Sequence, residues 1–159
     1  MKVYFAGPLF TPYERAFLDG CAARMRAAGI DVFVPHESIL ATAETTAAEV
    51  FAKDSDGIAA ANALVALLDG PAIDDGTACE IGLFHGLATS DPAKKGIVGL
   101  VTDFRTSLPA RQGLNLFVRG CIESTGEVCT SIDGVLDDLE RWRLELDGFR
   151  TVPAGREGV

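Results

Sequence analysis

The chain has no Cys-x-x-Cys pair, and no cysteine is spaced from His36 or His85 in the manner of a zinc site. Its four cysteines, Cys21, Cys79, Cys121 and Cys129, are read as small, mostly buried thiols kept reduced, and no metal is expected. Positive charge is scarce. The 14 Lys and Arg stand against 23 Asp and Glu, leaving a net charge of −9. That argues against duplex nucleic acid or an anionic membrane surface as a partner, because both are held by basic patches. A small uncharged ligand is still compatible. No apolar run reaches the ~18 residues of a membrane span. Met1-Lys2 lead straight into a strand pattern, so a cytoplasmic protein is expected. The first turn, Gly7-Pro8-Leu9-Phe10-Thr11-Pro12, lacks Gly-x-Gly-x-x-Gly, which counts against a dinucleotide-dependent oxidoreductase. There are no repeats and no low-complexity segment, and 159 residues suit a single domain.

What the chain does have is concentrated around residues 63–82. The apolar run Ala63-Leu64-Val65-Ala66-Leu67-Leu68 ends in a loop holding Asp69, Asp74 and Asp75 between Gly70, Pro71 and Gly76. A helical pattern follows. This is the pattern of a buried parallel strand, a loop at its C-terminal end and a helix returning over the sheet. In such sheets ligands bind at the C-terminal strand ends. Asp74 falls in the loop. Glu80 falls near the first helical turn, where the dipole favours an ionised carboxylate, and Gly76 allows a sharp turn between them. Two carboxylates so placed can divide nucleophile from proton carrier, as cleavage of a glycosidic bond requires. Asp-Asp-Gly-Thr is equally a turn and N-cap, with Asp75 or Thr77 as the cap and Glu80 only complementing the dipole.

The remaining pattern is α/β. Lys2 to Ala6 reads as a strand. Thr11-Pro12-Tyr13-Glu14 is a capping box opening a helix to about Ala28, with Gly29 as its stop. Ile30 to Val34 is a second strand. Residues 36–45 read as loop, with His36 a solvated member of it. A helix follows from Thr45 or Thr46 to about Ala61. On it Val50, Asp54 and Ile58 share one line, so Asp54 either points outward or sits at the edge of a cleft, while Lys53 faces solvent in part. The third strand is 63–68, and its helix runs from about Gly76 to Leu87, with His85 a satisfied helix residue. Gly96 to Val101 is a fourth strand. Residues 104–113 are loop, 114–123 a short helix, and 127–129 a short fifth strand. Ser131 caps a final helix to about Leu146, with Ile132, Val135, Leu136, Leu139 and Trp142 as its core stripe. The domain is expected to end at 148, with 149–159 a flexible tail. Five strands alternating with helices predict a flavodoxin-like, doubly wound parallel sheet with helices on both faces, in the order 2-1-3-4-5. The loops after strands one and three then meet at the switch point.

The run Asp74-Asp75-Gly76-Thr77-Ala78-Cys79-Glu80-Ile81-Gly82 resembles the Asp-x-Gly-Thr-x-x-Glu-x-Gly signature of the nucleoside 2-deoxyribosyltransferase family. Tyr4-Phe5-Ala6-Gly7-Pro8 is similar to the family's N-terminal Tyr-x-Ala-Gly-Pro. Asp54 precedes Asp74 by the family's interval, and Gly113-Leu114-Asn115-Leu116 resembles its late asparagine segment. The resemblance covers roughly residues 1 to 140. It implies transfer of a 2-deoxyribosyl group between nucleobases, with Glu80 as the nucleophile on the anomeric carbon. Asp54 is implied as first choice for the proton to the leaving base, with Asp74 as second choice or as holder of a sugar hydroxyl. It further implies Tyr4, Gly7, Pro8, Asp69, Gly76 and Asn115 at the ligand. The partners implied are nucleosides and free nucleobases. A homo-oligomer is also implied, with Asn115 reaching a neighbouring subunit's sugar. No cofactor is implied. For Asn115, a helix cap is the competing role.

Two other readings remain open at this level. One is a hydrolase of deoxynucleoside 5′-monophosphates. It needs phosphate donors near the first loop, where Leu9-Phe10 is apolar and the available cations are Arg15, Arg105 and Arg111. The other is a nucleotide-binding domain without catalysis.

Overall fold

The computed structural model describes residues 1–38, 42, 44–103 and 114–150. Its elements are β1 (Lys2–Ala6), α1 (Pro12–Ala27), β2 (Asp31–Phe33), α2 (Pro35–Ser38), α3 (Ala47–Ala60) and β3 (Ala63–Leu67). They continue with α4 (Asp75–Ala88), β4 (Gly96–Leu100), α5 (Leu116–Glu123), β5 (Glu127–Cys129) and α6 (Ile132–Arg150). All four strand pairings are parallel, and the sheet order is β2-β1-β3-β4-β5, as expected from the alternation of strands and helices. The crossing from β2-β1 to β3 puts the switch point between β1 and β3.

Strand alternation assigns each side chain to a face. Val3, Phe5, Val65, Leu67, Val98 and Leu100 pack under α1 and α6, with Leu18, Met25, Val135, Leu139 and Trp142. Tyr4, Ala6, Leu64, Ala66 and Ile97 pack on the other face, against Ile58 of α3, Ile81 and Phe84 of α4 and Ile122 of α5. Tyr4 therefore looks toward the helix that carries Glu80.

The helix starts follow local chemistry. Thr11 and Glu14 form the capping box of α1 with Pro12 in its first turn, and Thr46 with Glu49 does the same for α3. Two boundaries differ from expectation. Residues 35–38 form the short helix α2 rather than plain loop. Helix α6 runs on to Arg150, two residues into the segment assigned to the tail. The rest of that segment, 151–159, lies outside the described residues, as does the 104–113 loop with Arg105 and Arg111. Among the described residues, no helix is long and apolar enough to cross a membrane.

Candidate active site

A cleft of about 380 Å³ opens at the C-terminal ends of β1 and β3. The turn after β1 supplies Gly7, Leu9 and Phe10, and Asp74, Gly76, Thr77 and Glu80 come from the start of α4. Helix α3 adds Val50, Lys53 and Asp54, while Arg15, Pro35 and His36 close the β2 side. All three carboxylates expected to do chemistry, Glu80, Asp54 and Asp74, thus converge on one space at the switch point.

Asp74 is held by its own helix. It is the N-cap of α4, and one carboxylate oxygen accepts from the Thr77 backbone N–H at 2.8 Å and the Thr77 hydroxyl at 2.9 Å. The cap is Asp74 and not Asp75 or Thr77. The sharp turn also lies elsewhere than expected. Gly70 has φ +133°, a conformation that strains any residue with a Cβ. Gly76 instead lies inside the first helical turn, where a Cβ would stand 3.2 Å from an Asp74 carboxylate oxygen.

Glu80 lies in the second turn of α4, and the Tyr4 hydroxyl donates to its Oε1 at 2.5 Å. Burial pushes the Glu80 carboxyl up to about 7. The Tyr4 hydrogen bond opposes that rise, and the charges of Asp54 and Asp74 add to it. Desolvation thus outweighs the helix dipole that favoured an ionised Glu80 in the sequence. Tyr4 is itself fixed. Its ring stacks on Phe33 with centroids 5.4 Å apart, and burial together with the adjacent Glu80 raises its phenol far above the usual range. A Cβ on Gly57 would lie 2.9 Å from the Phe33 ring and 3.1 Å from the Tyr4 ring, so only glycine lets α3 approach this pair. That approach brings Asp54, one turn earlier, to the cleft edge.

The other residues expected at the ligand divide. Gly7 lines the cleft, but a Cβ there would meet Leu18 at 3.0 Å and Leu67 at 3.1 Å, so its smallness serves packing of α1 on the sheet. Pro8 is buried behind it and is not among the lining residues. Asp69 points along the sheet edge. It accepts from the backbone N–H groups of Thr102 and Asp103 at 2.7 and 2.9 Å and from the Thr102 hydroxyl, tying the end of β3 to the end of β4. Asn115 is exposed and caps α5, accepting from Phe117 and Val118. Neither Asp69 nor Asn115 lines the cleft of its own chain.

The family model for nucleoside 2-deoxyribosyltransferases matches residues 3–138. The chain belongs to the nucleoside 2-deoxyribosyltransferase family. No curated protein sequence matches significantly. Among solved structures, a conserved protein from Enterococcus faecalis is similar at 27% identity and TM-score 0.74, over 89% of this chain and 98% of that one. A 2-deoxyribosyltransferase from Bacillus psychrosaccharolyticus aligns at 22% identity and TM-score 0.64, over 86% and 90%. A CMP N-glycosidase from Clostridium botulinum aligns at 15% identity and TM-score 0.57, over 89% and 99%. The last two share the fold.

Within this member of the nucleoside 2-deoxyribosyltransferase family, three cleft residues escaped the sequence reading. Lys53, expected to face solvent in part, has a side chain 16% exposed that donates to the Pro35 carbonyl at 3.0 Å and lies 3.3 Å from Asp54 Oδ1, which places it at the cleft. Lys53 and Asp54 stand at i+3 and i+4 from Val50, and that shared spacing is the signal that could have found it. His36 is not a solvated loop residue. Its side chain is 10% exposed, and Nε2 contacts Asp19 at 2.8 Å. Thr77 is buried beneath Asp74. His85, which contacts Ser124 at 3.0 Å, is the satisfied helix residue it was taken to be.

Proposed function

We propose that this protein transfers a 2-deoxyribosyl group between nucleobases by double displacement through a covalent glycosyl ester on Glu80. The observation that carries the reading is the state of Glu80. It is a half-buried carboxyl at the switch-point cleft, held by Tyr4, with Asp54 and Asp74 facing the same space. A carboxyl pushed up to about 7 is ionised in an appreciable fraction near neutrality. It is also more basic than an ordinary one, which suits attack on an anomeric carbon developing oxocarbenium character. A Glu80 oxygen bonds to C1′ from one face while the base leaves from the other, and a second base then displaces the carboxylate, retaining configuration. Asp54 is assigned the proton passed to the leaving base. Asp74 has one oxygen engaged by Thr77 and is assigned a sugar hydroxyl. Asn115 is assigned to the sugar in a neighbouring copy. Its exposure beside Leu116 and Phe117, 83% and 82% exposed, supports that role.

The second reading, hydrolysis of deoxynucleoside 5′-monophosphates, draws support from Arg15, which lines the cleft. A product assay separates the two. The protein is incubated with a deoxynucleoside, with and without a free acceptor base, and with the matching 5′-monophosphate, beside Glu80→Ala. A new deoxynucleoside that needs both acceptor and Glu80 supports transfer. Free base released only from the monophosphate supports hydrolysis. Binding without turnover of either would sink both catalytic readings.

A further inference from the structure

Breaking the bond between C1′ and the base sends its electron pair to a ring nitrogen, so the base departs with growing negative charge. It departs into a cleft already lined by Asp54, Asp74 and Glu80. Like charges in a partly dehydrated space raise that barrier unless a cation stands near the leaving nitrogen. The lining residues include two with always-ready positive side chains, Arg15 and Lys53. Arg15 donates to the Leu9 carbonyl at 2.6 Å and so also braces the loop after β1. Lys53 is drawn over the cleft by the Pro35 carbonyl at the start of α2 and stands 3.3 Å from Asp54 Oδ1. That oxygen is buried and takes no hydrogen bond from any described residue, so the ammonium 3.3 Å away offsets its charge. Pro35 occupies one of the three ammonium N–H donors, which leaves capacity for a ligand.

We infer that Lys53 carries the negative charge of the departing nucleobase, working as a pair with Asp54. The inference rests on the Glu80 reading and on the base lying at the Asp54 end of the cleft. The C1′–N bond breaks with its pair passing to nitrogen, and a Glu80 carboxylate oxygen supplies the pair for the new C1′–O bond. Lys53 offsets the charge on nitrogen until the proton from Asp54 reaches it. Asp54, having given up that proton, is left as a carboxylate beside the same ammonium, so one cation stabilises the anion on either side of the proton transfer. Nothing in this scheme requires a co-reactant beyond the two substrates.

The test is leaving-group dependence. Wild type, Lys53→Met and Lys53→Arg are assayed on matched donors, 2′-deoxyuridine with its 5-fluoro analogue and 2′-deoxyadenosine with its 2-fluoro analogue, each also as the 5′-monophosphate. Fluorine withdraws electrons, so the fluorinated base needs less help to leave. Lys53→Met is expected to slow the plain donors about 100-fold and the fluorinated ones about tenfold or less, and Lys53→Arg to recover most of the loss. A merely structural lysine would lower every donor by one factor, and that result, or no slowing at all, overturns the proposal. Wild-type turnover that Glu80→Ala abolishes, joined to such equal factors, overturns the role of Lys53 and leaves the Glu80 reading intact. No wild-type turnover of any donor overturns both.

Discussion

Two ionisable groups at opposite ends of the strands, Lys94 buried and Glu80 half-buried, are treated in opposite ways. Lys94 lies just before β4, at the end of the strands away from the cleft. Its ammonium donates to the carbonyls of Ile58, Ala59 and Ala61 at 3.4, 2.9 and 2.8 Å, closing the C-terminal end of α3, and stands 5.3 Å from the centre of the Phe84 ring. Burial pushes its amine below the ordinary lysine value, yet every proton has an acceptor. Glu80, at the other end of the strands, has one donor among the described residues, Tyr4, and two like charges nearby. A charge buried to hold a fold together is saturated with partners, because each unmet group costs stability. A charge buried for chemistry keeps a valence open toward the cleft and bears the cost of it.

That contrast has measurable consequences. Lys94→Met leaves three carbonyls at the end of α3 without their donor and is expected to cost about 4 kcal/mol. Urea unfolding monitored by circular dichroism reads the loss, with the chemistry of the folded fraction unchanged.

Glu80→Gln should move stability the other way. The folded carboxyl titrates at about 7 against an ordinary 4.5, so Glu80 favours the native state below the lower value and loses that contribution as pH rises through the upper one. Glutamine cannot ionise. The variant should be more stable than wild type at pH 8 by up to about 3 kcal/mol and no more stable at pH 4. Equal stabilities at pH 8 would mean that Glu80 is not desolvated.

Tyr4→Phe removes the donor that favours the Glu80 anion. The rate, which should rise as pH passes through about 7 in wild type, is expected to rise at a higher pH, with about a tenfold loss at neutrality. A pH–rate profile checks both features. The smallest effect concerns Asn115. As a cap alone, Asn115→Ala costs about 1 kcal/mol and leaves the Michaelis constant untouched. A rise in that constant would show the asparagine reaching sugar in another copy.

Much of the fold was legible because it rests on short-range pattern. The apolar run 63–68, the Thr11–Glu14 capping box and the spacing of Asp74 and Glu80 each act within a few residues, and strand–helix alternation leaves few topologies. The site was legible in its members more than in its couplings. Asp54, Asp74 and Glu80 do converge, but Asp69 instead ties β3 to β4. The ionisation of Glu80 was misjudged because dipole alignment can be read along one helix, while burial depends on what the sheet and α3 place over it. Tyr4 meets Glu80 across 76 positions of sequence, a pairing set by strand alternation and the Gly57 approach together.

By itself, then, the order of residues determined the elements, their parallel arrangement and the switch point where a ligand would lie, since these follow from local propensity, periodicity and the handedness of crossovers. Only the tertiary structure decided that Glu80 is a half-buried carboxyl poised near 7, and that Lys53 and His36 turn inward from segments that look solvated. It also decided that Asn115 stands apart from its own cleft. Desolvation and charge pairing depend on distances between elements far apart in the chain, and those distances exist only once the sheet and its helices have packed.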